Sequence, residues 1–289
     1  MIGGFVFKRG ILLVLISFVL PLSSPAETQG GKYFDRAVFV LFENTNYADA
    51  ARQPFFNELS KSGAHFSNFT ALTHPSQGNY IALTSGSLNG VTGNGRYDLK
   101  VTSIADLLED KGLTWKVYAE GYPGNCFTGP SSGGYARKHN PFISFVNIQK
   151  NPSRCANIVN ASQFDRDASA GALPNYAFYV PDSKNSGHDT NVTYADRWYG
   201  QKFSRYVNDP QFMANTVLIS TFDENGGGGK NQIYASIVGP SVRQVVVSDA
   251  LNLYSLMQLI EANWSLGDLG KMDASSAPVP NIWQYSAYN

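Results

Sequence analysis

Short unbroken apolar runs are the main pattern along the chain, and two of them cover residues 37–42 and 216–222. Runs of this length are typical of strands buried on both faces of a sheet, because a solvent-facing side would show alternating polar residues. Weaker runs predict further strands at 114–119, 176–180, 233–238 and 245–247.

Segments with helical spacing lie between these runs. Residues 252–264 have an amphipathic pattern, and residues 195–207 repeat large apolar side chains at the helical interval. Shorter helices are predicted at 55–63, 79–85 and 103–111. Because strands alternate with helices, the fold class is α/β: a three-layer α/β/α sandwich with a mostly parallel central sheet.

The N-terminus has the pattern of a secretory signal. Lys8 and Arg9 precede an apolar run at 11–22, and small residues follow at Ser24 and Ala26. We expect a signal peptide at residues 1–26 and one catalytic domain at 27–289, secreted or periplasmic. The run is short for a membrane span, so a stable span after cleavage is not expected, although an uncleaved anchor is the alternative.

Composition and charge bear on the size of the core and on the kind of partner. The 289 residues are 43% hydrophobic, enough for one large core, and 22 basic residues balance 22 acidic ones. A neutral chain gives no indication of a specific nucleic-acid partner. Cys126 and Cys155 favour one disulfide in an exported protein, with two buried thiols as the alternative.

Polar residues follow three of the predicted strands. Carboxylates that meet at one sheet edge repel one another, and a divalent cation would offset that repulsion. Oxygen ligands suit Mg, Ca or Mn, whereas a histidine among them leaves Zn or Fe possible. The alternative is that each acidic residue only caps the following turn. The residues concerned are Glu43, Asn44, Asp182, His188, Asp223 and Glu224.

Ser76 lies in a polar turn just before the predicted helix at 79–85. A serine there has its hydroxyl near the positive end of the helix dipole, where backbone N–H groups can hold an anion. It is therefore a candidate nucleophile toward a phosphate, and the alternative is a simple helix cap. A second candidate region is the loop at 121–141, rich in Gly, Pro and Ser, because long loops in compact domains are often functional.

Several motifs together resemble the phosphoesterase family of secreted acid phosphatases and phospholipase C-type enzymes, within the alkaline phosphatase superfamily. The likeness is greatest to the fungal-type acid phosphatase branch, and it covers nearly the whole chain after residue 26. The matching segments are 42–45 with Tyr47, 73–76 with Asn79 and Tyr80, 137–141, 187–191, 221–224 and 262–264.

The resemblance implies an alkaline-phosphatase-like fold and a role for each matching residue. Ser76 corresponds to a nucleophile that forms a phosphoserine and contacts the metal, and Asn79 to an amide that steadies the phosphoryl oxygens. His139 and Asn140 correspond to substrate contacts, and His188 to the second-metal or general-acid side. The implied metal ligands are Glu43, Asn44, Asp223 and Glu224, with Ser76.

Leu253 departs from the family, in which relatives often carry a histidine that binds a second metal. We therefore expect one divalent ion, and a small phosphorylated molecule as substrate. His188 or His139 would protonate the leaving group, which suits an acidic optimum. The alternatives are a phospholipase C-type phosphodiesterase or a catalytically reduced protein that binds a phosphorylated ligand. Choline-type head groups would call for an aromatic cage, for which the candidates are Tyr122, Tyr135 and Trp198.

Overall fold

A computed structural model describes residues 1–4 and 30–284. Most of the predicted signal peptide lies outside these residues. Within them, no helix is sufficiently long and apolar to cross a membrane.

The strands, in chain order, are β1 (Arg36–Phe42), β2 (Ala64–Phe66), β3 (Phe69–Thr70), β4 (Trp115–Ala119), β5 (Ser131–Ser132), β6 (Tyr135–Ala136), β7 (Ile158–Asn160), β8 (Tyr176–Val180), β9 (Thr216–Phe222), β10 (Ala235–Val238), β11 (Val245–Val247) and β12 (Leu251–Asn252). The helices are α1 (Tyr47–Ala51), α2 (Pro54–Ser62), α3 (Gln77–Ser85), α4 (Ile104–Asp110), α5 (Val146–Gln149), α6 (Pro152–Cys155), α7 (Ser162–Ser169), α8 (Val192–Val207), α9 (Pro210–Met213), α10 (Leu253–Trp264) and α11 (Met272–Ser275). Two short 3₁₀ turns lie at Arg137–His139 and Pro141–Ser144.

Eight strands form the central sheet in the order β11-β2-β10-β9-β1-β8-β4-β7. β10 is antiparallel to β9 and β2, and the other pairs are parallel. β8 and β9 are buried along their whole length, and β1 is buried beyond its first residue, as their unbroken apolar sequences predict. The mostly parallel α/β fold predicted from the sequence is confirmed.

Local capping explains where the observed helix ends differ from the predicted ones and where they agree. α8 begins at Val192 rather than at residue 195, because the side chain of Asn191 accepts a hydrogen bond from the backbone N–H of Tyr194. α3 ends as predicted at Gly86, whose φ of 68° is left-handed and is tolerated by glycine. Every residue of α3 is buried, so this helix forms part of the core behind the site.

Cys126 and Cys155 form the predicted disulfide; their Cα atoms are 5.7 Å apart, and the two residues are 29 positions apart in the sequence. The bond joins the loop after β4 to α6. It therefore anchors the base of the long loop that carries residues 137–141 toward the sheet edge.

Candidate active site

The carboxyl ends of β1 and β9 lie side by side. Their register pairs Phe42 with Phe222, so Glu43 and Asp223 emerge next to each other beyond the sheet edge. The backbone N–H of Asp223 donates to the carbonyl of Phe42 at 2.9 Å and continues the pairing past the strands. The structure therefore brings these two strand ends together, as the sequence predicted.

Ser76 is the N-cap residue of α3 and is buried beside both strand ends. Its Oγ lies 3.1 Å from Glu43 Oε2 and 3.0 Å from Glu224 Oε1. The serine hydroxyl is therefore held between two carboxylates that come from neighbouring strands. A serine that only capped its helix would bond a backbone N–H of the first turn, and Ser76 has no side-chain cap bond of that kind.

Glu43 is almost completely buried, and its Oε1 lies against Tyr80 and His139. The phenol of Tyr80 donates to Oε1 at 2.8 Å, and His139 Nε2 lies 2.9 Å from the same oxygen. Burial alone would raise the pKa of Glu43, but the charge and hydrogen bond of His139 outweigh it. With smaller contributions from Lys138 and Tyr80, they lower this pKa to about 2. Glu43 is therefore an anion at neutral pH.

Asp223 is fully buried, and its Oδ2 has no hydrogen-bond partner among the described residues. Burial raises the pKa of Asp223 well above its usual range, and the negative charges of Glu43 and Glu224 raise it further. An unpartnered buried carboxylate oxygen beside two other carboxylates is what a cation would satisfy. The donor set at this edge therefore fits a divalent metal ion.

Asn44 has a left-handed backbone with φ of 26°. Its N–H donates to Asp223 Oδ1 at 3.2 Å, and its side-chain amide donates to Glu224 Oε1 at 2.8 Å. Both bonds are made by N–H groups, so the side-chain oxygen of Asn44 is the atom it can offer to a metal.

His74 is a site residue that sequence reasoning did not assign. Its Nδ1 lies 2.5 Å from Glu224 Oε2, and its side chain is 46% exposed. His74 thus orients the carboxylate that contacts Ser76 while remaining open to solvent. Its signals in the sequence were its place in the 73–76 segment that resembles the family and its position two residues before Ser76.

The side chains of Asn79 and Asn140 are bonded to neighbouring groups of the protein. Asn79 is fully buried, and its amide accepts from the N–H groups of Leu72 and Thr73 and donates to the Thr73 carbonyl. It therefore fixes the loop before Ser76, and its amide is engaged by backbone groups rather than directed at a phosphoryl oxygen. Asn140 is also fully buried and donates to the Tyr135 hydroxyl at 3.2 Å, so it shapes the long loop.

His188 lies beside His139, and their ring centroids are 5.7 Å apart. Its Nδ1 is 2.6 Å from Asp189 Oδ1, and its Nε2 is 3.0 Å from the amine of Lys138. Glu43, His139 and His188 each offer one ligand atom within 4.8 Å of the others. These three residues form a second candidate metal-binding group, which the sequence analysis did not predict as one cluster.

Asp182 is engaged by its own turn. Its Oδ1 accepts the N–H groups of Lys184 and Asn185 at 2.9 and 2.8 Å, so it caps the chain just after β8. The acidic group at the end of β8 is thus a loop cap, which was the alternative interpretation. Leu253, fully buried at the start of α10, offers no ligand atom.

The aromatic cage suggested by the sequence does not form. Tyr122 and Tyr135 are buried and pack edge to face at 5.2 Å, whereas Trp198 packs against Phe42 and Tyr179 in the core. A cage needs ring faces open to a ligand, which these contacts do not leave. His65 is structural, since it is bonded to Tyr47 and Ser60.

Comparison with solved structures supports the fold. The chain has a TM-score of 0.59 to a protein of the alkaline phosphatase superfamily from Vibrio parahaemolyticus, with 16% identity over 87% of this chain and 72% of that one. Murine ectonucleotide pyrophosphatase/phosphodiesterase 5, solved as an inactive variant with AMP, gives a TM-score of 0.55 with 12% identity, over 88% of this chain and all of that one.

Sequence relatives narrow the family. A probable acid phosphatase of Kluyveromyces lactis is 34% identical over 85% of this chain, and an acid phosphatase of Aspergillus fumigatus is 33% identical over 88% of it. The chain spans only 62% and 60% of the lengths of these two fungal proteins. A phosphatidylinositol-3-phosphatase of Mycobacterium tuberculosis is 30% identical over 86% of this chain and 83% of its own length. The model of the phosphoesterase family matches residues 35–267, and the chain belongs to that family.

Proposed function

We propose that this protein is a metal-dependent phosphoric ester hydrolase of the acid phosphatase type, which cleaves small phosphomonoesters through a phosphoserine at Ser76. One observation carries the proposal: the Ser76 hydroxyl is buried at a helix start, between Glu43 and Glu224 and beside Asp223. Membership of the phosphoesterase family and the phosphatase names of its relatives support it.

In the first step, Ser76 Oγ attacks phosphorus while its proton passes to a carboxylate that it contacts, the Oγ–P bond forms, and the bond from phosphorus to the leaving oxygen breaks. The two carboxylates aim the hydroxyl, and the start of α3 contributes the positive end of its dipole toward the phosphoryl group. In the second step, water attacks the phosphoserine, which releases inorganic phosphate and restores the serine.

A divalent ion would be held by the carboxylates of Glu43, Asp223 and Glu224 with Asn44, and Ser76 would join this set in the active state. When bound, such an ion lowers the pKa of a serine hydroxyl and offsets charge on the phosphoryl group. We propose one ion, because Leu253 removes a ligand for a second. The group of Glu43, His139 and His188 is the competing location.

The histidines have separate roles in this proposal. His188, whose side chain is 37% exposed, is the candidate proton donor to the leaving oxygen once its Nε2 is released from the Lys138 amine. His139 is buried against Glu43 and acts by positioning that carboxylate. Glu43 then keeps one oxygen, Oε2, directed at Ser76.

The charged start, apolar run and small residues at 1–26 support an exported protein with one catalytic domain at 27–289. N-terminal sequencing of the secreted protein tests this, with a first residue of Glu27 expected. A mature protein that retains residues 11–22 would contradict it.

The decisive experiment assays the purified protein on a phosphomonoester and a phosphodiester across pH, before and after exhaustive chelation. Rapid-quench mass spectrometry of the monoester reaction should find a phosphorylated peptide that contains Ser76. Full activity after chelation contradicts metal dependence, and faster diester cleavage favours the phosphodiesterase. Binding of the phosphomonoester without turnover would indicate a catalytically reduced protein.

A further inference from the structure

A cavity of about 420 Å³ opens beside the start of α3, and the proposed mechanism does not use it. The turn at 94–96, the loop at 128–130 and the pair Arg137 and Lys138 line it. This cavity, here called the basic cavity, adjoins the serine through two contacts. The N–H of Gln77 donates to Asn94 Oδ1 at 3.1 Å, and the N–H of Gly95 donates to Gln77 Oε1 at 2.7 Å.

On another wall of the basic cavity, Lys138 contacts the part of the site that contains His139 and His188. Lys138 directly precedes His139, and its amine lies 3.0 Å from His188 Nε2. His188 in turn lies close to Glu43 and His139. The basic cavity is therefore joined to the surroundings of Ser76 on two sides, through Gln77 and through His188.

The basic cavity carries excess positive charge. Among the described residues that line it, Arg96, Arg137 and Lys138 are cationic and none is acidic. Asp98, just outside, pairs with Arg96 at 3.0 Å and with Arg137 at 3.4 Å. Arg137 is 2% exposed and bonds the carbonyls of the 95–97 turn, so it is a fixed charge behind the wall. Arg96, with a side chain 60% exposed, is the cation that can move onto a ligand.

A second cavity of about 470 Å³ on the other side of His188 differs in charge. Asn44 and Gly226 line it, together with Asp49 and Arg52, which pair with each other at 2.5 Å. This neutral cavity has room for a leaving group but little attraction for an anionic one.

We propose that the basic cavity is the leaving-group subsite and that it selects phosphomonoesters whose alcohol carries a second dianionic group, such as another phosphate. The proposal rests on the proposed function, because it assigns the reacting phosphoryl group to Ser76. Arg96 is the specificity-determining residue and bonds the second anion directly, Lys138 adds charge, and Arg137 holds the 95–97 turn in place.

The test compares kcat/KM for a hexose bisphosphate and the matching hexose monophosphate. Arg96→Gln should lower the bisphosphate value about fivefold relative to the monophosphate value, the size expected for one charged contact at an exposed site. Arg96→Lys should retain most of the preference. The preference should also shrink in high salt, since the contact is solvent-accessible.

Arg52→Gln is the matched control, because Arg52 is likewise an exposed arginine paired with a nearby aspartate, but it lines the neutral cavity. It should leave the preference unchanged. An equal fall on both substrates with Arg96→Gln, no change at all, or a selective fall with Arg52→Gln would each overturn the proposal.

Calorimetry separates this inference from the proposed function. In a Ser76→Ala background, the hexose bisphosphate should bind about fivefold more weakly once Arg96→Gln is added. If the unmodified protein hydrolyses neither ester, the proposed function fails, whereas the binding comparison still supports or overturns the subsite. Equal binding by the two variants overturns it.

Discussion

Strands β1, β8 and β9 have the same sequence pattern, but their carboxyl ends differ. The acidic residues after β1 and β9 meet at the candidate active site, whereas the one after β8 caps its own turn. Each strand is a buried apolar run followed by an acidic residue, and all three run parallel in adjacent positions of the sheet. Among the described residues, one oxygen of Asp223 has no partner, whereas Asp182 is used by two N–H groups of its own turn.

The difference lies in the loop after each acidic residue. After Asp182 the chain turns at once, and Glu120 secures that turn by accepting from the Asp182 N–H at 2.9 Å and from the Asn185 amide at 2.6 Å. After Asp223 the chain soon enters four glycines, and the carboxylate faces Ser76 at the start of α3 instead. A polar residue after a strand becomes available for chemistry when its own loop leaves it unpartnered.

Removing the nucleophile should give the largest effect. Ser76→Ala should lower kcat on a phosphomonoester by at least about 1,000-fold, because a methyl group cannot attack phosphorus. Circular dichroism and metal content should stay close to those of the unmodified protein. Ser85→Ala, which changes a buried serine at the other end of α3, is the control and should keep its activity. Near-normal turnover of the Ser76 variant would contradict the assignment.

The comparison of strand ends is tested directly by Asp223→Asn against Asp182→Asn. Asp223→Asn should remove the metal and lower kcat about 100-fold or more. In metal-free protein the same change should raise thermal stability, because it removes a carboxyl group whose ionisation is opposed by burial and by the charges of Glu43 and Glu224. Asp182→Asn should leave metal content and kcat nearly unchanged, since the amide oxygen can still accept both N–H groups.

Elemental analysis of the two variants and of the unmodified protein measures the metal content. One tightly bound ion per chain is expected for the unmodified protein and for Asp182→Asn. Two ions per chain would instead favour the group of Glu43, His139 and His188 as an additional site. Loss of the metal from the Asp182 variant would contradict the claim that the end of β8 takes no part in metal binding.

Breaking the disulfide perturbs the long loop without altering β1 or β9. Replacing Cys126 and Cys155 by serine should lower the free energy of unfolding by about 3 kcal/mol, the value typical of closing a loop of about 30 residues. Denaturant titration measures the change. If the strand ends alone held the metal, the folded variant would keep its ion, whereas loss of the ion would implicate His139 on the loop.

Glu261 is buried, as Asp223 is, and its carboxyl group lies beside another acidic residue, Asp273. Burial, followed by the nearby charge of Asp273, raises the pKa of Glu261 to about 8. Because the folded state keeps this proton above the unfolded pKa of about 4.5, stability falls as pH rises toward 8 and is level beyond it.

The fall contributed by Glu261 should be about 2 kcal/mol between pH 5 and 7. Glu261→Gln should remove that part of the pH dependence in thermal unfolding experiments and should not change metal content. A variant with an unaltered stability profile would show that Glu261 ionises normally.

The sequence was sufficient for the parts of the site that depend on strand burial and parallel pairing. These rules predicted the convergence of Glu43 with Asp223 and Glu224, and the turn chemistry predicted the position of Ser76 before a helix. Contacts made through loops could not be predicted from the sequence. His139 reaches Glu43 only because of the path of the loop at 121–141, which has no periodic pattern. Asn79 matches a family motif, but which backbone groups its amide meets depends on the fold of the loop at 72–73.

The central place of β1 also has a consequence for how the protein is made. Asn44 bonds a residue 180 positions later, and the start of β1 is bonded by Asn175, 140 positions later. A ribosome must therefore complete β9 before the first strand has both of its neighbours, and one edge of β1 stays unpaired until then. Such contacts between distant parts of a chain make folding slow and leave the early chain exposed to aggregation. Fragments that end before residue 224 should accordingly leave one edge of β1 unpaired and lack the carboxylate that Asn44 bonds.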